Sequence, residues 1–248
     1  MFQGGASHGI LASVAEGMAS FIDRYLYILV HLKKLLTGGF ARTYFSQWGE
    51  DIVLAGLFAN QKSGFYVDVG AYHPFHYSNT HLLYRKGWRG VNIDPNPSSI
   101  TLFRFHRGRD TNVNYGVSDT AGDRPYYIFN HQSCNTFSEA QKEVMEKKSF
   151  IKLVETRPIP CLPLSTILDT HAKSQQIDFL NVDVEGMSME VLRSLDFAQY
   201  TPRVICIEDD AFDFGKPSFG SELYMFLTAA GYVLHSKVGR STIYQHHS

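Results

Sequence analysis

Cysteine is scarce in this 248-residue chain: Cys134, Cys161 and Cys206 make an odd number at wide spacing. That pattern offers neither a disulfide framework nor a zinc knuckle, and it fits a reducing, cytoplasmic compartment. An excess of either charge is missing too, with 23 Lys and Arg against 24 Asp and Glu and a pI near 6.8. A nucleic-acid binder working through bulk positive charge is thereby excluded. No apolar run approaches the ~20 residues of a spanning helix. Within the most apolar segment, 18–36, the longest unbroken stretch is Tyr25–Val30. No Lys or Arg precedes Arg24, so the sequence reads as lacking a secretory leader. What is present is 44% hydrophobic and 14% aromatic residues, enough for a sizeable core in one large domain or two small ones.

In the 18–36 segment Ser20, Asp23, Arg24, Tyr27, His31 and Lys34 recur at helical spacing, with Phe21, Ile22, Tyr25, Leu26, Leu29, Leu32 and Leu36 opposite. Residues 1–40 are expected to form an amphipathic helical extension, and residues 41–248 the functional domain. The apolar face is expected to pack on the domain or on a second copy in a homodimer. Membrane contact would find only a thin basic edge in His31, Lys33 and Lys34.

From Gly64 onward short β-rich runs alternate with helical stretches. Strands are expected at 65–67, 90–93, 111–117, 125–129, 177–182, 203–207, 232–235 and 242–244. Helices are expected at 78–86, 138–154 (closed by Pro158 and Pro160), 188–195 and 221–230. The alternation predicts an α/β fold with a doubly wound, mostly parallel sheet and an antiparallel pair at the end of the chain.

Ligands of such sheets bind beyond the carboxyl ends of the strands, and here those ends are acidic: Asp68-Val69-Gly70-Ala71, Asp94-Pro95-Asn96-Pro97, Asp183-Val184-Glu185-Gly186 and Glu208-Asp209-Asp210. A dinucleotide needs a Gly-rich loop for its pyrophosphate, yet only Gly70 is present and Asp68 would repel it. S-adenosylmethionine (SAM) carries no phosphate but a sulfonium and an ammonium group, so a carboxylate at the first turn suits it. Asp94, 26 residues after Asp68, is placed to accept hydrogen bonds from two ribose hydroxyls.

Several runs resemble the FkbM family of SAM-dependent methyltransferases. They are 46–51 (SQWGED), 65–71 (FYVDVGA), Ser78-Asn79-Thr80, Gly87-Trp88-Arg89-Gly90, Asp94-Pro95-Asn96-Pro97 and 177–186 (IDFLNVDVEG). The likeness extends from about Ser46 to about Tyr244. It implies a Rossmann-like class I methyltransferase fold, a doubly wound, mostly parallel seven-stranded sheet with an antiparallel last strand. It also implies O-methylation of sugar or other natural-product hydroxyls. Two departures stand out: the first loop is Ala71-Tyr72-His73-Pro74 where many members have more glycine, and Asn181 sits where a Lys is frequent.

The expected cofactor contacts are Gln47, Glu50, Asp68, Gly70, Ala71, Asp94, Asn96, Ser118 and Asp119. A sugar hydroxyl is a weak acid, so a base or a metal must assist its attack. Asp183, Glu185 and His73 are the candidate catalytic groups. Asp183, Glu208 and Asp209 are candidate ligands for Mg²⁺ or Mn²⁺, an arrangement similar to that of metal-dependent sugar and catechol O-methyltransferases. His131, Ser133, Asn135 and Thr136 lie in a polar stretch expected to cap a small-molecule or glycan acceptor, with Tyr126 and Tyr127 as a candidate wall. The competing reading is a non-catalytic ligand- or partner-binding domain of the same fold.

Overall fold

A computed structural model describes residues 6–38, 41 and 43–247, and for residues 6–20 the backbone alone. The chain falls into two units, Met1–Thr43 and Tyr44–Ser248. In the first, α1 (Ala6–Leu36) begins well before the expected 18–36 segment. Every residue from Phe21 to Gly38 is exposed, on the apolar and polar faces alike. No helix among the described residues is long and apolar enough to cross a membrane.

The strands of the second unit are β1 (Phe65–Val69), β2 (Arg89–Ile93), β3 (Thr111–Val113), β4 (Gly116–Val117), β5 (Gly122–Phe129), β6 (Leu153–Leu162), β7 (Phe179–Val182), β8 (Val204–Glu208), β9 (Tyr232–Val238) and β10 (Ser241–His246). Its helices are α2 (Glu50–Leu57), α3 (His81–Arg85), α4 (Pro97–His106), α5 (Glu139–Glu146), α6 (Leu164–His171), α7 (Ser188–Arg193) and α8 (Glu222–Ala229). Seven strands form one sheet in the order β3-β2-β1-β7-β8-β10-β9. Its first five are parallel, and β10 runs against both neighbours. The mixed α/β architecture and seven-stranded, mostly parallel sheet agree with expectation.

Alternation along the strands divides the sheet into two unlike faces. Val67, Val69, Val91, Ile93, Leu180, Val182, Ile205 and Ile207 turn one way and pack with Leu164, Leu168, Val191, Leu192 and Leu227 of α6, α7 and α8. The other face carries Tyr66, Phe179, Val204 and Ile243 against Leu54, Phe58, Leu83 and Trp88. Across that second face runs a row of register partners, Asn92–Asp68–Asn181–Cys206, all buried.

A second sheet, β4-β6-β5, was not foreseen. The 111–117 run divides between β3 of the large sheet and β4 of the small one. The 138–154 helix stops at Glu146, and Leu153–Leu162 is a strand that contains Pro158 and Pro160. Proline is tolerated there because β4 pairs with β6 only at Cys161 and Leu162, leaving the preceding stretch an open edge on that side.

Candidate active site

The ends of β1, β2, β7 and β8 meet one row beyond the buried polar row. Continuing the register brings Asp94, Gly70, Asp183 and Glu208 side by side. Gly70 has φ 78°, and a Cβ built on it would stand 1.8 Å from the Asp183 carbonyl oxygen. Only glycine lets the two strand ends approach so closely. The room it leaves is taken by the Asp183 backbone.

In front of this row lies a cavity of about 280 Å³. Among the expected site residues, Gln47, Asp68, Gly70, Ala71, Asp94, Asp183 and Glu185 line it. Ser133, Asn135 and Thr136 of the expected cap line it as well, with Tyr126 from β5. The Thr136 hydroxyl donates to the Glu185 carbonyl at 2.7 Å, fastening the cap to the turn after β7. Tyr127 instead faces Phe129, Met145 and Ile151 in a small core of the cap and bonds Glu139.

Asp68 and Asp94 are both held by donors. Asp68 accepts from Thr80 Oγ1 at 2.7 Å on one oxygen and from Asn181 Nδ2 at 2.9 Å on the other. Burial raises its pKa, opposed by the Thr80 hydrogen bond, the Arg107 charge and Asn181. Asp94 accepts the backbone N–H groups of Tyr72 at 2.8 Å and Asn96 at 2.7 Å. Burial pushes its pKa up to about 6 against the pull of those two donors.

The third acidic group is built differently. Asp183, Glu185 and Glu208 each bring an oxygen within 4.8 Å of the others. The Asp183 carboxylate accepts no hydrogen bond among the described residues, whereas Glu185 takes one from Gln141 at 3.2 Å. Glu208 pairs with Arg240 Nη1 at 2.8 Å, and the same guanidinium holds Asp210. Burial, then repulsion from Glu185, raises the pKa of Asp183; burial, then repulsion from Asp183, raises that of Glu208. Asp209 is not part of this cluster. It is buried and accepts from the Ser221 hydroxyl at the start of α8, because adjacent strand-end residues point to opposite faces.

The remaining expected residues serve the framework. His73 lies outside the cavity wall, and its Nδ1 accepts the backbone N–H groups of Phe75 and His76. Glu50 is buried, accepting from the Trp48 N–H and the Ser241 hydroxyl. Asn96 caps α4. Ser118 is buried beyond β4, and Asp119 pairs with Arg124 at 3.0 Å. Sequence reasoning missed Arg240, Lys148, Tyr72 and Tyr77, all of which line the cavity. The tyrosines adopt φ of 54° and 56°, uncommon for residues other than glycine. Arg240 follows Gly239 in the β9–β10 turn, and a turn signal gives no hint of which strand end its side chain reaches.

A family model described as the methyltransferase FkbM domain matches residues 68–234, about two thirds of the chain. The match starts at Asp68 and takes in the whole acidic row; the 46–51 motif and β10 lie outside it. No curated protein matches the chain.

Proposed function

The chain belongs to the FkbM methyltransferase family, and on that premise we propose that it is a SAM-dependent O-methyltransferase with a Rossmann-like class I sheet, acting on a hydroxyl of a sugar or other natural product. The observation that carries this reading is a single cavity whose wall combines the anchored acids Asp68 and Asp94 with the crowded carboxylates Asp183 and Glu185. The fit to the donor is chemical: the wall is acidic and has no Gly-rich phosphate loop. When bound, SAM supplies a methyl group on a sulfonium, displaced in line with the electron pair left on sulfur.

The chain's own residues then have separable tasks. Asp68 presents a fixed negative charge to the ammonium end of the donor, and Asp94 accepts hydrogen bonds from its ribose hydroxyls. Asp183, assisted by Glu185, takes the proton of the attacking hydroxyl. Crowding and burial increase the proton affinity of these carboxylates, which suits them to so weak an acid. Arg240 limits the repulsion by neutralising Glu208. The cap from β5 to β6 encloses a small-molecule or glycan acceptor and excludes water. Orienting donor and acceptor in such a site can contribute ~7–11 kcal/mol.

A divalent cation is the finer alternative for the same carboxylates. Asp183, Glu185 and Glu208 would hold Mg²⁺ or Mn²⁺, which favour all-oxygen ligands and would supply Lewis-acid help to the hydroxyl. Arg240 already brings one positive charge to that position. We further propose a cytoplasmic location, which would keep the free cysteines Cys134, Cys161 and Cys206 reduced, and a homodimer through the exposed apolar residues of α1.

Calorimetric titration of S-adenosylhomocysteine (SAH), with Mg²⁺ and again with EDTA, tests the reading. Saturable binding in both is expected, and an affinity that moves between the runs would put an ion beside the donor. Absence of binding in both would overturn the SAM assignment.

A further inference from the structure

The Ser78-Asn79-Thr80 run has no part in the chemistry assigned above, yet all three residues are buried against the acidic face of the sheet. The partner of Ser78 and Thr80 is Arg107, at the C-terminal end of α4, whose side chain is fully buried. Its guanidinium donates to the Pro74 carbonyl from Nε at 3.2 Å and from Nη2 at 2.6 Å, to the Ser78 hydroxyl at 2.7 Å, and to Thr80 Oγ1 at 2.7 Å. The rings of Tyr84 and Phe103 lie 5.4 and 5.0 Å from it. No carboxylate forms an ion pair with this buried cation among the described residues. A buried charge left without compensation is costly, and here compensation is relayed. The Thr80 hydroxyl accepts from Arg107 and donates to Asp68 Oδ2, while Tyr66 connects Arg107 to Asp110.

The other Asp68 oxygen is tied in the same manner. Asn79 Nδ2 donates to Asn181 Oδ1 at 2.9 Å, and Asn181 Nδ2 donates to Asp68. The Ser78–Thr80 segment therefore braces both oxygens of one carboxylate. Arg107 also grips the loop between β1 and α3 at Pro74, between the two left-handed tyrosines that line the cavity.

We propose that Arg107, acting through Thr80, is a positioning residue of the cofactor site that orients Asp68 toward the amino-acid end of the methyl donor. The inference rests on the SAM reading, and it assigns Thr80 and Arg107 no contact with the donor. Its consequence is selective. Loss of the relay should weaken ligands that possess the amino-acid end and spare those that lack it.

The test is calorimetric titration of two ligands, SAH and 5′-methylthioadenosine, into the full chain and its Thr80→Val and Thr80→Ser variants. Thr80→Val preserves shape and removes the relay hydroxyl, whereas Thr80→Ser retains it. Thr80→Val is expected to weaken SAH roughly tenfold, the usual weight of a hydrogen bond to a charged group, with methylthioadenosine changed less than about twofold. Thr80→Ser should restore SAH binding. Arg107→Lys, which cannot reproduce the planar fork, should weaken SAH at least as much as Thr80→Val. Equal loss of both ligands in Thr80→Val, or wild-type SAH affinity in that variant, would overturn the relay alone. Failure of the wild-type chain to bind either ligand would remove the SAM reading, and the relay with it.

Discussion

Two rows of side chains on one face of the sheet make an instructive pair. The lower row, Asn92–Asp68–Asn181–Cys206, is buried and reaches the cavity at Asp68 and Asn181, and its single carboxylate is hydrogen-bonded through both oxygens. The upper row, Asp94–Gly70–Asp183–Glu208, faces the cavity through its first three members, and its Asp183 carboxylate has repulsive neighbours in place of donors. Two residues along the strands separate Asp68, a carboxylate held by side-chain donors, from Asp183, a crowded one without them. Hydrogen bonds to a carboxylate favour its charged form and fix its orientation; like charges beside it favour the protonated form. A site that must both hold a cation and deprotonate a hydroxyl benefits from keeping these two kinds of carboxylate apart.

The comparison breaks most sharply at Asp183. In the Asp183→Ala variant, turnover assayed as SAH release should fall by roughly 10²–10⁴-fold, the range of a lost general base, while calorimetric SAH affinity stays nearly unchanged. Loss of both would move Asp183 to the holding group. Gly70, where the two strand ends touch, is next. Gly70→Ala forces a Cβ into the Asp183 carbonyl and a positive φ on alanine, and should cost about 2–4 kcal/mol of unfolding free energy in urea.

Acid offers a finer separation. Asp94 must be ionised to accept two hydroxyls, and its pKa is raised to about 6. Affinity for SAH should therefore be level above that pH and decline as pH drops through it. Asp94→Asn should bind more weakly at neutral pH, by about tenfold, and lose that decline. The smallest effect concerns Arg240. Glu208 has a raised pKa in the folded chain, so its contribution to stability is full below the ordinary Glu value of 4.5 and is lost as pH rises above it. Arg240→Gln removes a charge that opposes this loss. Loss of the Asp210 pair should lower its melting temperature at both pH values, and the drop should be a few degrees larger at pH 8 than at pH 5. A drop of the same size at both pH values would show that the guanidinium does not shield the row.

Much of this arrangement was legible in the sequence. Asp68, Asp94, Asp183 and Glu185 were found because a strand followed at once by an acid is a local pattern, and parallel sheets gather strand ends. The choice between Glu208 and Asp209 needed the pleat as well. Cys206 shares its row with Asn181 and Asp68, so Glu208, two residues on, shares the next row with Asp183 and Gly70, whereas Asp209 turns to Ser221. Arg240, Arg107 and the grip on Pro74 were out of reach, since each joins residues far apart in sequence and leaves no periodic trace. The β6 strand was hidden by Pro158 and Pro160, which read as breakers unless one knows that the edge beside them is open.

The contact between Asn181 and Asp68 spans 113 residues of chain, and Arg240 follows nearly sixty residues after Asn181. During synthesis on the ribosome, the first strand and its glycine turn emerge long before anything they must meet. Contacts so distant in sequence form late and only once the intervening chain has been made. A nascent or truncated polypeptide ending before β8 therefore carries the cavity's lining residues as far as Met187 but lacks Arg240 and three strands of the large sheet, so capture of donor reports a wall assembled from segments made far apart in time.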